Sequence, residues 1–468
     1  METSSSAASS STPRLRRTLT LWDLIFYGIV LIQPIAPVPL YGVAQKLSDG
    51  HFVTIILIAL FAMLITAVSY GRMGALYPTA GSAYTYVGKG LNPHLGFLAG
   101  WAMILDYLLQ PLINTVWIST ALHERYLPQI PYIAWAALIA GIITVLNLAG
   151  VKSSTRANKV LLAVMTVVVV FFVWLAIRFL YHGQGWAGLL STEPFYNPKT
   201  FNSHKVLTAT SFAALTYIGF DGVTTLAEDV ENPKRNVLLA VVLTCIFAGV
   251  CSGFEAYLGA RVWPDWRTFP NLETAFMDIC SRVGGIVLFN AMGAILIVAA
   301  FGSGLTGTLG AARLLFGMGR DGVLPRKFFG HLKPGSSTPT YNILLIGLLA
   351  FLGAVLLNSP IVTRHGSGAY EHAGELLNFG AFLAFMGVNF ACFWQFSVIA
   401  KKAGAERHLL RDAILPLAGF AFCLLIWWNL NSLAKTVGGI WFAIGILYVG
   451  YKTNWFRSAP VMIDFSDN

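Results

Sequence analysis

The sequence predicts an all-α polytopic membrane protein with about 12 transmembrane helices, and three observations carry that expectation. Of 468 residues, 56% are hydrophobic and 11% charged, with a mean hydropathy of +0.67; an ordinary soluble domain has roughly 25% charged residues. Apolar runs recur at about 20 residues, the length a helix needs to cross a bilayer. These runs do not alternate polar with apolar residues over about 10 positions, as barrel strands do.

Spans are expected, in order, at residues 19–46, 52–71, 95–122, 131–149, 157–181, 206–229, 236–260, 285–317, 341–358, 371–400, 413–430 and 434–451. Residues 1–18 are Ser-rich and polar and read as a disordered cytoplasmic tail. The apolar run that follows far exceeds the roughly 7 to 15 residues of a signal-peptide core. Residues 19–181 and 206–400 then form two sets of five spans. Residues 413–451 supply two extra helices, and 452–468 a second cytoplasmic tail.

With an even number of spans both ends share a side. Ten of the 31 Lys and Arg residues (Lys46, Arg125, Arg178, Lys199, Lys205, Arg261, Arg267, Arg282, Arg364, Lys435) fall on one side and the other 21 on the side of the termini. Basic loops stay cytoplasmic, so both termini are expected inside the cell membrane. The net charge of +10 is thereby an orientation signal and requires no nucleic-acid partner. The cysteines Cys245, Cys251, Cys280, Cys392 and Cys423 are odd in number and lack a C-x-x-C pair, so neither a disulfide framework nor a metal site is indicated, and no cofactor is expected.

Two spans are broken. The first contains Gln33-Pro34-Ile35-Ala36-Pro37-Val38-Pro39, where each proline removes a backbone donor and disfavours helix in the residue before it. The sixth contains Thr216-Tyr217-Ile218-Gly219-Phe220-Asp221-Gly222, with two glycines around an acid. Breaks five helices apart mark the binding site of transporters built from inverted five-helix repeats, because freed backbone groups must face a cavity and not lipid.

The chain resembles the amino acid, polyamine and organocation transporter superfamily. The resemblance rests on Ser69-Tyr70-Gly71-Arg72 with Pro78-Thr79-Ala80-Gly81-Ser82-Ala83-Tyr84-Thr85-Tyr86, on Tyr217-Ile218-Gly219-Phe220-Asp221 with Glu231-Asn232-Pro233-Lys234-Arg235-Asn236, and on Ala312-Arg313 through Gly322 with Leu324-Pro325. Asn92-Pro93-His94-Leu95-Gly96-Phe97 and Leu105-Asp106-Tyr107-Leu108 are most similar to bacterial putrescine importers. The resemblance implies a LeuT-like fold, two inverted five-helix repeats plus two C-terminal helices. It also implies carriage of amines or amino acids by alternating access, driven by protons or by exchange. Two positions depart from family patterns. The acid that putrescine importers carry after the first break corresponds to Pro39, and the fifth-helix lysine tied to coupling in some relatives corresponds to Met165.

The expected substrate-binding residues are Gln33, Ile35 and Ala36, which keep backbone donors among the prolines, together with Tyr107, Thr216, Tyr217, Gly219, Phe220 and Asp221. Asp221 is the foremost candidate. An acid at mid-span costs about 2.5 to 3.5 kcal/mol on insertion scales and is tolerated chiefly where it meets water, a partner or a ligand. It fits either pairing with a substrate ammonium or exchange of a proton, and Asp106 is the second proton-coupling candidate. Tyr107 corresponds to a tyrosine implicated in substrate recognition in putrescine importers, and core packing is the alternative for Phe220. Glu255 and Glu228 are expected at the interfaces, and Glu375 as an outer gate. Ser303 and Thr306 are an alternative sodium site, whereas Ser303, Gly307 and Ala311 form a small-residue packing face. The sequence thus predicts an importer of a small amine or amino acid, a polyamine such as putrescine among them, coupled to protons and not sodium, with an amino acid permease or exchanger for neutral or cationic amino acids as the alternative. A channel would need a continuous polar pore and an intramembrane enzyme a convergent catalytic set; the sequence displays neither.

Overall fold

A computed structural model describes residues 19–78, 82–150, 155–320, 322–332, 338–363, 368–402 and 408–460. The tail expected at 1–18, the end of the second tail, Thr79 to Gly81, Asp321 and the side chain of Glu228 lie outside the described residues. The helices run α1 Leu21–Ile32, α2 Tyr41–Leu47, α3 Phe52–Leu76, α4 Ser82–Gly90, α5 Pro93–Ala121, α6 Tyr132–Leu148, α7 Thr155–Leu189, α8 Ser203–Ala213, α9 Pro233–Val262 and α10 Ala275–Arg320. They continue as α11 Arg326–Phe329, α12 Thr340–Leu357, α13 Pro360–Thr363, α14 Ala369–Phe393, α15 Ala400–Lys402, α16 Leu415–Trp428 and α17 Ser432–Lys452. Among the described residues ten helices are long and apolar enough to cross a membrane. The broken first span (α1 with α2) and α6 complete the twelve expected.

The chain enters α1 from what we call the N-terminal face and leaves α2 at the far face. Thr20 caps α1: its hydroxyl accepts from the Asp23 amide, and Asp23 accepts from the Thr20 amide, a reciprocal box that satisfies two otherwise orphaned donors. α1 stops at Gln33, whose φ of 67° is uncommon for a residue with a side chain, and residues 34–40 pass through turns. The sixth span breaks similarly. α8 tightens into a 3-10 turn over Ala214–Tyr217, Gly219 adopts φ 114°, and a 3-10 segment Phe220–Asp229 resumes. Gly219 makes this break because only glycine adopts such a φ without steric cost.

Small residues let the spans touch. A Cβ on Gly71 would lie 2.6 Å from the Leu238 backbone, and one on Gly249 2.5 Å from Leu60, so α3 and α9 pack backbone to side chain. The predicted Ser303–Gly307–Ala311 face has this role: a Cβ on Gly307 would meet Gln110 at 2.9 Å, which holds α10 against α5.

Besides the single turns α11 and α13, two helical stretches of nine residues or more fall where the sequence predicts loops. α4 is only nine residues, Gly-containing and not strongly apolar, yet nearly every residue in it is buried. The start of α10 precedes the expected eighth span. The two helical parts meet at Gly285, with φ 64°. At the N-terminal face, the Arg72 guanidinium bonds the Asp412 carboxylate at 2.5 Å and the Arg411 carbonyl at 2.6 Å, and stacks 3.9 Å over Phe396.

Candidate functional site

A cavity of about 110 Å³ opens where the two breaks meet α5, α10 and α14. Its polar lining is Gln33, Gln110, Asn114, Ser303 and Tyr370, and its apolar lining includes Ile35, Ile218, Trp117 and Leu296. The local chain explains these polar groups. Pro111 sits inside α5 and cannot donate to the Tyr107 carbonyl, so the helix is loosened beside Gln110 and Asn114, which lie one turn apart on one face. Asn114 donates to the Gln110 carbonyl at 2.7 Å and to Ser303 Oγ at 3.2 Å, and Gln110 donates to the same Oγ at 2.9 Å. Gln33 donates to the Ala299 carbonyl, one turn earlier on α10, at 3.4 Å. A single turn of α10 therefore receives one N–H from each of the three side-chain amides. Their side-chain oxygens remain as acceptors for whatever occupies the cavity.

The backbone of the break tells the same story. The Gln33 amide donates to Ile29, Ala36 to Gln33, Val38 to Ile35, Leu40 to Pro37 and Tyr41 to Val38. Pro37 and Pro39 have no N–H. Gln33 and Ala36 were expected to offer their amides to a ligand; in the structure those amides are engaged in the turns, and the residues contribute surface and a side chain instead. At the other break, the amides of Gly219, Asp221 and Gly222 bond to the Asp221 carboxylate. The positive end of the helical segment after the second break is thus met by the carboxylate of Asp221 itself. The ends of α1 and of the 214–217 turn, which carry the negative pole of the peptide dipoles, point to the cavity region.

The predicted residues divide into groups. Gln33, Ile35 and Ala36 line the cavity. Asp106, Tyr107 and Asp221 interact electrostatically with one another on the N-terminal side of it, outside its lining. Asp221 is 6% exposed. Phe220 is buried in a ring cluster with Tyr70 at 5.5 Å and Phe385 at 5.2 Å, and Tyr70 lies 5.6 Å from Phe385. This cluster closes the site toward the N-terminal face, where the Glu231 amide also bonds the Leu19 carbonyl at 2.9 Å. Gly219 faces Leu31. The Tyr217 hydroxyl points away, donating to the Ile56 carbonyl of α3 at 2.8 Å, while the buried Thr216 hydroxyl has no partner among the described residues. Thr306 is exposed and bonds within its own helix, so it does not converge with Ser303 on one ion.

Sequence reasoning missed Gln110, Asn114, Trp117 and Tyr370. The signal for the first two was present: two amides four residues apart around a proline in an apolar helix. Trp117 and Tyr370 also meet Glu273, a loop residue of the far face. The Trp117 indole donates to the Glu273 carbonyl at 3.3 Å, and the Tyr370 amide to its carboxyl at 3.4 Å. Burial pushes the Glu273 carboxyl up to about 7. Glu375 bridges two elements, accepting from Ser211 at 3.2 Å and from the Asn431 amide at 2.5 Å.

Two broken helices around a cavity inside a bundle of membrane-length helices define the class: a multi-pass transporter of the LeuT-like fold. An Eremococcus coleocola manganese transporter, crystallised with an aromatic bis-isothiourea substituted compound, shares that fold, with a TM-score of 0.56 at 14% identity over 96% of this chain and 98% of its own. The amino acid permease family model matches residues 38–463, and the chain belongs to that family. It is 32% identical over 453 residues to the low-affinity putrescine importer PlaP of Escherichia coli (strain K12), covering 96% of each chain. It is 25% identical over 479 residues to the branched-chain amino acid permease BcaP of Lactococcus lactis subsp. cremoris (strain MG1363), covering 93% of this chain and 94% of that one.

Proposed function

We propose that this protein imports a small amine such as putrescine across the cell membrane by alternating access, with both termini cytoplasmic and with protons driving uptake. The observation that carries the substrate class is the polarity of the cavity. The side-chain amides of Gln33, Gln110 and Asn114 each donate onto α10 or their own helix, and the backbone N–H groups of Gln33, Ala36, Val38, Leu40 and Tyr41 are taken by the turns of the first break. An ammonium finds acceptors there, whereas an α-carboxylate finds few donors. The resemblance to PlaP supports the same reading.

The preponderance of Lys and Arg on the side of the termini supports the cytoplasmic orientation. Asp221 and Asp106 are the acids we assign to proton exchange on the N-terminal side. The resemblance to BcaP and the Ile35 amide, bonded to no backbone carbonyl, favour a second reading, a permease for amino acids. Competition against labelled putrescine in proteoliposomes separates the two. Diamines are expected to compete at least tenfold better than leucine or lysine; better competition by an α-amino acid overturns the amine assignment.

A further inference from the structure

Glu255 was expected at a membrane interface, but it is 1% exposed and lies two turns short of the far end of α9. Both of its carboxyl oxygens are buried with no hydrogen-bond partner among the described residues. Its titratable neighbours are few. Cys251 lies one turn below on the same helix and Cys280 on the first part of α10; both interact with it electrostatically. Asp278, beyond Cys280, is already paired with Arg125. On the α3 side the neighbouring turn, at Gly253, meets Ile56 and Leu57. One turn above Glu255, a Cβ on Gly259 would lie 2.8 Å from the Tyr41 ring. Tyr41 begins α2, immediately after the first break, and its ring lies edge-on to Phe276 at 5.2 Å.

A carboxylate ion here would be an unpaired charge in an apolar interior, an arrangement proteins avoid by neutralising the group. The chain nevertheless keeps an acid where a leucine would pack. Because α2 is the half-helix next to the break, its displacement in alternating access would uncover the turn of α9 just above Glu255, where the Tyr41 ring now lies.

We propose that Glu255 is a proton-binding residue of the transport cycle on the far face. With α2 displaced, the carboxylate takes a proton from external water; α2 then closes over the neutral acid, and the proton returns to water when the site reopens toward the other side. The inference rests on the importer reading for a cargo, for proton coupling and for the far face being external.

The test uses the full chain in proteoliposomes, with whichever of putrescine or leucine exchanges in wild-type counterflow as cargo, so a wrong substrate class changes the cargo and not the result at Glu255. For Glu255→Gln, counterflow is expected within about twofold of wild type. Accumulation driven by a pH gradient is expected to fall at least tenfold, and cargo-dependent acidification of lumenal pyranine to disappear. Wild-type accumulation and acidification in the variant overturn the proposal, as does absence of acidification in the wild type. Loss of counterflow together with accumulation makes Glu255 a packing residue and also overturns it. Should Glu255→Gln not be recovered from membranes, Glu255→Asp is expected to shift the pH midpoint of uptake, and an unmoved midpoint is the overturning result.

Discussion

Gln110 donates from its side-chain nitrogen to Ser303 Oγ at 2.9 Å, and this bond, shared with Asn114 at 3.2 Å, fixes which way both amides face. Ser303→Ala removes the common acceptor while the helix–helix contact at Gly307 remains. Each lost hydrogen bond is worth about 1 kcal/mol. Thermal stability is therefore expected to fall modestly, and freeing both amides to turn is expected to weaken the apparent affinity for the cargo about five- to tenfold, equivalent to about 1–1.4 kcal/mol. Uptake titrations on purified protein check this, and an unaltered KM removes the α10 turn from recognition.

Gln110→Glu places a carboxylate where an amide oxygen stands in the cavity lining. The change is expected to tighten binding of a diamine relative to a neutral amino acid, because an ammonium gains a charged acceptor. The ratio of the two inhibition constants measures it. Equal effects on both ligands would contradict the cavity polarity deduced here.

Arg72 and Asp412 join α3 to the approach to α16, with side chains 4% and 9% exposed. Removing one partner of such a pair leaves a buried charge uncompensated, at a cost of about 3–5 kcal/mol. Asp412→Ala is thus expected to lower the melting temperature in detergent by many degrees. Arg72→Met with Asp412→Leu, which removes both charges, should recover much of the loss. A single substitution as stable as wild type would show the pair to be dispensable.

Glu273 supplies a pH dependence whose sign can be worked out. Its carboxyl titrates near about 4.3 when unfolded, and burial raises it to about 7 in the folded chain. Between these values the native state holds a proton that the unfolded state lacks, so this group's contribution to stability declines as pH rises through that window. Melting temperatures from pH 5 to 8 are expected to fall more steeply for wild type than for Glu273→Gln. Parallel curves would mean that desolvation does not raise the Glu273 carboxyl.

The spans and both breaks were legible in the sequence because hydropathy, proline and glycine act locally. The cavity was only partly legible. Gln33, Ile35 and Ala36 follow from the break itself, but Tyr370 and Trp117 reach the site through the crossing of α5 and α14, a tertiary relation that no local pattern encodes. Asp221 was conspicuous as a mid-span acid, yet its contacts with the amides of Gly219 and Gly222 depend on the φ of one glycine. Glu255 looked interfacial because it lies near a span end, and it is tertiary packing, with Cys280 of α10 nearby and the Tyr41 ring over the next turn of α9, that makes it internal.

Gly219 is the residue on which the second break turns. Its φ of 114° is disfavoured for any residue with a Cβ, although the space beside it is free, since the nearest atoms to an added Cβ are those of Leu31 at 3.7 Å. Gly219→Ala therefore tests backbone strain and not collision. Holding an L-residue in a left-handed conformation costs about 1–2 kcal/mol, and relieving it would rotate the amides that meet Asp221. The variant is expected to fold with a modestly reduced melting temperature but to lose most uptake, and Asp221→Asn to lose uptake with a smaller change in stability. Normal transport by Gly219→Ala would show that the geometry of this break is not needed for the cycle.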